Sequence, residues 1–327
     1  MTNPSNARTV ADLLSEEIRS NDSNIRNRAA PTGFNPLDEV LGGGLRTSHL
    51  ALIAGRPGIG KTILALQWAR SFAMSGRKVV FICFEHSPRE LLERLLSLEV
   101  RSAARSDEQH LVDAAASELR DSISQGTNSS GIANAPIAQE ALRRLGTYSS
   151  LLTLIPANGR TTDLDAIQAI ASEAGEGSVI FVDYLQKVPV KGSIRDDERA
   201  GIIAEALKDI AMNEQVVMVA TAAGDKAGIA GRRLRLADLR GSSSLAHECD
   251  VAIMLNEKTT AISKVALAYN TSRSAGFDRQ VIFSIEKNRI GPSNMHLEFT
   301  KDFRYFRFDP DGGFLAEKMV DEVLYEE

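Results

Sequence analysis

The residues best suited to chemistry in this chain lie in one run, LALIAGRPGIGKT, from Leu50 to Thr62. Gly55, four further residues and then Gly60, Lys61 and Thr62 make a P-loop pattern, with Pro57 and Gly58 inside the turn. Glycine lets the backbone turn tightly and bring its N–H groups against phosphate oxygens. Lys61 supplies a point charge for the outer phosphates, and the Thr62 hydroxyl can ligate Mg²⁺. The positive end of a helix starting here adds to the attraction. Gly55, Pro57, Gly58, Gly60, Lys61 and Thr62 are the expected binding set for a nucleoside triphosphate. A glycine-rich turn without a ligand is the competing reading. The flanking residues weigh against it: Leu50, Leu52 and Ile53 read as a buried strand entering the loop, and Ile63, Leu64, Leu66, Trp68 and Ala69 as a helix leaving it.

Two carboxylates fit this loop. Asp183 closes the apolar run SVIFVD, where it can hold the water shell of a Mg²⁺ ion opposite Thr62. An aspartate at a strand end is otherwise a turn-former. Glu85 follows the run KVVFICF, Lys78 to Phe84. In a parallel sheet the ligand lies beyond the carboxyl ends of the strands, so Glu85 is placed to face the terminal phosphate and orient an attacking water. Its alternative role is that of a surface acid capping the next helix near Ser87.

The elements that must position these groups can be read in order. Val10, Leu13, Leu14 and Ile18 fall on one face of a short helix over Thr9 to Ser20, and polar residues separate it from the core. After the P-loop helix and the Lys78–Phe84 strand, a helix starts near Pro88. Glu99 to Tyr148 reads as mostly helical, without recognisable chemistry. Strands follow at Leu151–Ile155, Ser178–Asp183 and Val216–Ala220, with helices over about Asp163–Glu173 and Arg199–Met212 between them. Val251–Leu255, Val265–Tyr269, Val281–Glu286, His296–Phe299 and Tyr305–Phe308 read as later strands. Strand–helix alternation followed by strand-rich sequence implies an α/β fold with a mostly parallel central sheet, antiparallel edge strands and flanking helices. The domain division expected is a flexible N-terminus over 1–31, one core over 32–310 and an acidic tail over 311–327.

Composition is that of an ordinary globular chain, 43% hydrophobic and 25% charged, so a sizeable core can be buried. No apolar run approaches the ~18 residues of a membrane span, and MTNPSNARTV lacks a signal-peptide core, so a cytoplasmic, membrane-free protein is expected. Cys83 and Cys249 are the only cysteines, which excludes a disulfide framework and argues against a zinc site. The net charge of −5 argues against wholesale coating of nucleic acid but leaves room for a local basic channel. Ala223 to Arg240 holds five basic residues, Arg232, Arg233, Arg235 and Arg240 among them, against two acids. Asp311 to Glu327 holds six acids and one lysine. Such segregation matters more than the total.

TGFNPLDEVLGGGL, GRPGIGKT, FEHSPRELLERLL, VIFVDYLQ, LADLRGSSSLAHECDVAIML and EKNRIGP occur in this order. Together they resemble the C-terminal motor domain of DnaB-type replicative helicases, a branch of the RecA-like ATPases, over about Thr32 to Phe308. The resemblance implies ATP with Mg²⁺, Glu85 as the water-activating acid and Asp183 as the Walker B aspartate. It implies that Lys287 and Arg289 reach a neighbouring subunit's nucleotide site; residues two apart on a strand share a face, and an arginine supplied in trans stabilises charge on the transferring phosphoryl group. Arg240 and the serines after it correspond to the family's DNA-contacting loop, and the helix around Leu13 to a linker that packs on the next subunit of a hexamer. Three departures stand out. The family's N-terminal helical domain is not expected, because fewer than 35 residues precede the core. Thr221 replaces the usual phosphate-sensing glutamine, and Gly241 an acid common in the DNA-contacting loop.

The expected activity is that of a ring ATPase acting as a DNA helicase or single-stranded DNA translocase in replication or repair. The Ala223–Arg240 stretch lacks aromatics, so backbone contact rather than base stacking would carry binding. The alternative is a non-helicase RecA-like regulatory or recombination-accessory ATPase, with the acidic C-terminus as a protein-docking site.

Overall fold

The computed structural model describes residues 9–11, 29–104, 109–125, 136–191, 196–224, 233–239, 241–263 and 274–321. Of the helix expected over Thr9 to Ser20 only residues 9–11 are among these, and the strand expected at Val265–Tyr269 lies outside them. Helix α1 (Asn35–Val40) precedes the core. Then come β1 (Leu50–Gly55), α2 (Lys61–Met74), β2 (Val79–Cys83), α3 (Pro88–Ala103), α4 (Gln109–Gln125), α5 (Pro136–Gly146), β3 (Leu152–Pro156), α6 (Leu164–Ala174), β4 (Val179–Asp183), α7 (Asp196–Asn213) and β5 (Val217–Ala223). The later part comprises α8 (Ser242–Glu248), β6 (Val251–Glu257), α9 (Lys258–Ala261), β7 (Gln280–Asn288), β8 (Met295–Asp302), β9 (Arg307–Phe308) and β10 (Gly313–Phe314).

One sheet runs in the order β10-β8-β7-β6-β1-β5-β4-β2-β3, with β9 on β8. The segment from β6 to β3 is parallel, and β7, β8 and β10 extend it antiparallel. The expected α/β architecture is the one observed. Strands such as VVFIC and VIFVD are buried at every position because helices cover both faces of the parallel part. Alternation divides their side chains between two cores. Ala51, Ile53, Phe81 and Phe181 face α2 with Trp68 and Phe72, while Leu52, Ile82, Val182 and Ala220 face Ile203 and Leu207 of α7. The antiparallel strands add an aromatic cluster, Phe34, Phe283, Phe299 and Phe308, with ring centroids 4.4–6.1 Å apart.

The expected strand at Tyr305–Phe308 is a 3₁₀ turn over Phe303–Tyr305 followed by the two residues of β9. The acidic segment also differs from a solvated tail as far as Asp321. β10 pairs with β8, and Met319 is fully buried and bridges to Ile262. Glu317 and Asp321 are consumed by cations of the core. Met319 supplies the apolar anchor that a charge count does not reveal. Among the described residues no helix is long and apolar enough to cross a membrane.

Candidate nucleotide site

The loop from Gly55 to Thr62 leaves the carboxyl end of β1 and opens α2, as its sequence requires. Gly58 and Gly60 sit at φ +80° and +99°, backbone that L side chains rarely adopt. At Gly60 space is short as well, because a Cβ would lie 2.5 Å from the ring edge of Phe303. The loop is thus braced from behind by the β8–β9 turn, a contact with no signal in the loop's own sequence. Lys61 donates to the carbonyls of Gly55 and Arg56 at 3.0 and 3.1 Å. Burial lowers its pKa, against the opposing pull of Asp183 and Glu85.

Asp183 ends β4 nearly inaccessible, and the peptide bond that follows it is cis. Each carboxylate oxygen has its own hydroxyl donor: Thr62 Oγ1 reaches Oδ2 at 2.8 Å, and Thr221 Oγ1 reaches Oδ1. The Cys83 thiol lies 3.7 Å from Oδ2, and burial together with Asp183 pushes its pKa up to about 11, so it stays a neutral thiol. Thr221, read as a departure in the sequence, therefore orients the carboxylate. One turn on, Gln186 of the DYLQ element exchanges two hydrogen bonds with the backbone of Ala223 at the end of β5, at 3.1 and 3.3 Å.

Glu85 stands exposed just past β2. It is not the cap of α3. Ser87 and Glu90 form a reciprocal capping box there, with Ser87 N donating to Glu90 at 2.7 Å and Glu90 N to Ser87 Oγ at 3.2 Å. Glu85 faces a cleft of about 360 Å³ whose walls include Gly58, Gly60, Lys61, Thr62 and Asp183. Arg94 and His86 complete that wall and were not singled out in the sequence. Arg94 lies in the second turn of α3, and its Nη2 is 3.3 Å from His86 Nδ1. The helical spacing of FEHSPRELLERLL was the available signal. Burial lowers the pKa of both groups, and for His86 the Arg94 charge adds to it.

Lys287 and Arg289 are elsewhere. Gly55 is in register with Leu255 and that residue with Phe283, so Lys287 lies four residues, roughly 13 Å, back along β7 from the level of the P-loop. Both cations close the C-terminal end of α8. Lys287 donates to the carbonyls of Ala246 and His247, and Arg289 to those of His247 at 2.6 Å and to Asp250 Oδ1 at 3.0 Å. Neither lines the cleft of its own chain.

The basic stretch is only partly described; Arg232 and Arg240 lie outside the described residues. Arg233 is buried and pairs with Asp321 at 2.7 Å and Glu286 at 3.5 Å. This corrects the expectation that it meets a DNA phosphate, because its charge is satisfied inside the fold. Arg235 shares the same two acids but is half-exposed.

A family model, the DnaB-like helicase C terminal domain, matches residues 29–308. The chain belongs to this family. Among DnaB-like relatives, the replicative DNA helicase DnaB of Treponema pallidum (strain Nichols) is 28% identical over 315 residues, 92% of this chain and 63% of that protein. A probable plasmid replicative DNA helicase of Chlamydia psittaci is 26% identical over 70% of this chain and 46% of its own. A DNA repair protein RadA of Mycobacterium tuberculosis (strain H37Rv) is 37% identical over 95 residues, 27% of this chain and 20% of that protein. The chain thus spans less than two thirds of these curated relatives. Two solved structures share the fold. One, an ATPase domain, has a TM-score of 0.67 at 22% identity, covering 90% of this chain and 95% of that one. The other, a DnaB-like replicative helicase described with its interactions with primase, has a TM-score of 0.69 at 21% identity, covering 91% and 67%.

Proposed function

We propose that this chain is an ATP-hydrolysing DnaB-like motor that assembles as a ring, most simply a hexamer, and moves on single-stranded DNA in replication. One observation carries the reading: the Thr62–Asp183 pair at the head of α2 faces Glu85 across a cleft walled by the P-loop. In this reading the backbone amides of Gly58 and Gly60 and the Lys61 ammonium hold the phosphates. Thr62 and Asp183 offer hard oxygen donors that fit Mg²⁺, which when bound neutralises charge on the phosphate oxygens. Among the described residues no three His, Cys, Asp or Glu side chains gather around a metal, so that ion would draw its other ligands from phosphate and water. Glu85 orients the attacking water and accepts its proton, while Arg94 adds positive charge at the cleft wall. Lys287 and Arg289 cannot serve their own chain's cleft from the far strand end. They are assigned to the neighbouring copy's site, where Arg289 stabilises the transferring phosphoryl group. Arg235, with Arg232 and Arg240, is assigned to the DNA backbone.

The second reading is a regulatory or recombination-accessory ATPase with the same site. The RadA similarity and the internal pairing of Arg233 favour it. Steady-state ATP hydrolysis with and without single-stranded DNA, beside Lys61→Ala, separates the two. Several-fold stimulation that fades as salt rises supports the DNA motor. Hydrolysis indifferent to DNA supports the regulatory reading, and normal turnover by Lys61→Ala would overturn both.

A further inference from the structure

Asp250 lies between α8 and β6 with 2% of its surface exposed, and its two oxygens are divided between two structures. Oδ2 accepts from Leu50 N and from Lys208 Nζ, both at 2.8 Å. Oδ1 accepts from Arg289 Nη1 at 3.0 Å. The backbone repeats the connection, with Asp250 N donating to Leu50 O at 2.8 Å and Arg289 N to Asp250 O at 2.9 Å. Arg289 Nη2 is held by the His247 carbonyl at 2.6 Å. The guanidinium therefore spends two of its five donors on fixed groups of its own chain, while its side chain remains 48% exposed. An arginine left free on a surface loses several rotatable bonds' freedom on engaging a partner; one already held loses less.

We propose that Asp250 is the positioning residue that presents Arg289 to the nucleotide site of a neighbouring copy of this chain. The inference rests on the trans assignment of Arg289. Asp250 does not line its own cleft, so the role proposed for it runs through the arginine. A transition-state contact misplaced by ~1 Å can cost on the order of 100-fold in rate, which sets the scale of the effect. One competing route exists within the chain. Leu50 opens β1, the strand that ends at Gly55, so Asp250 could instead steady its own P-loop.

Mixing experiments on the full chain separate these routes. Asp250→Asn retains an oxygen for Leu50 N but removes the charge facing Arg289 and Lys208. It is expected to bind a fluorescent ATP analogue as the wild type does, and to lose roughly 10- to 100-fold in hydrolysis. Mixed with Glu85→Gln, whose arginine is intact, it should regain activity. Mixed with Arg289→Ala it should not, because neither partner then presents a working arginine. Regained activity in that second mixture would show that Asp250→Asn still supplies the arginine and harms its own site, overturning the proposal. Wild-type turnover of Asp250→Asn alone would overturn it equally. Failure of the Glu85→Gln and Arg289→Ala mixture to regain activity would fall on the trans assignment and take the proposal with it. Should Asp250→Asn not fold, Asp250→Glu displaces the arginine without removing the buried charge, and the same mixtures decide.

Discussion

At the level of single residues, the role proposed for Glu85 and the backbone of Gly60 make opposite predictions. Glu85 is exposed, and the capping duty it could have had belongs to Ser87 and Glu90. Glu85→Gln should therefore leave stability within about 0.5 kcal/mol while removing most hydrolysis, as read by thermal melts beside a phosphate-release assay. A large loss of stability would give the residue a structural role instead. Gly60→Ala should behave oppositely. Its backbone is left-handed and its added methyl would meet Phe303, so the loop must move and nucleotide binding should fall sharply in a fluorescence titration. The loop residues and both carboxylates were legible because each belongs to a local pattern. Arg94 shares a motif with Glu85, and only its helical spacing signalled it; the Thr221–Asp183 bond had no such signal, since it depends on two separate strands meeting.

Among the secondary-structure elements, a single buried acid joins three helices in the region that showed no chemistry in the sequence. Glu99 on α3 accepts two bonds from Arg70 of α2, one from Arg144 of α5 at 3.0 Å and one from the Tyr148 hydroxyl at 2.9 Å. Burial alone would raise its pKa, but these donors outweigh burial and hold it below the ordinary carboxylate range. The sign follows from linkage: a depressed carboxylate contributes stability above its unfolded pKa, near 4.3 for glutamate, and loses it as pH falls through the folded value. Glu99→Ala should cost about 3–5 kcal/mol in a denaturant melt, because it strands the Arg70 charge on the P-loop helix. Glu99→Gln should flatten the acid limb of the stability profile. A helical pattern announces α3 and α5 but says nothing about which of their charges meet.

For the molecule as a whole, the described segment after Pro310, as far as Asp321, belongs to the fold. Ending the chain there would remove β10 and the buried Met319. It would also leave Lys258 without Glu317, and Arg233 without Asp321. The truncated protein should lose about 3 kcal/mol or more, lowering the melting temperature by several degrees. An unchanged melt would restore the picture of a solvated tail. The proposed assembly is tested at the same scale. Arg289→Ala and Glu85→Gln, each expected to be inactive alone, should regain part of the hydrolysis when mixed, since in the proposed ring only a mixed interface combines an intact acid with an intact arginine.

The α/β order, the P-loop, the strand-end carboxylates and the family could all be read from the linear chain. These follow from short-range rules, namely period-two burial, glycine conformations and motifs whose members are neighbours along the chain. Three features came only from the folded arrangement: Arg233 is spent on Asp321 and Glu286, Phe303 braces Gly60, and Lys287 and Arg289 turn away from their own cleft. Whether a charge is free or paired depends on which distant segments the sheet order brings together, and a linear pattern of charges carries no record of that order.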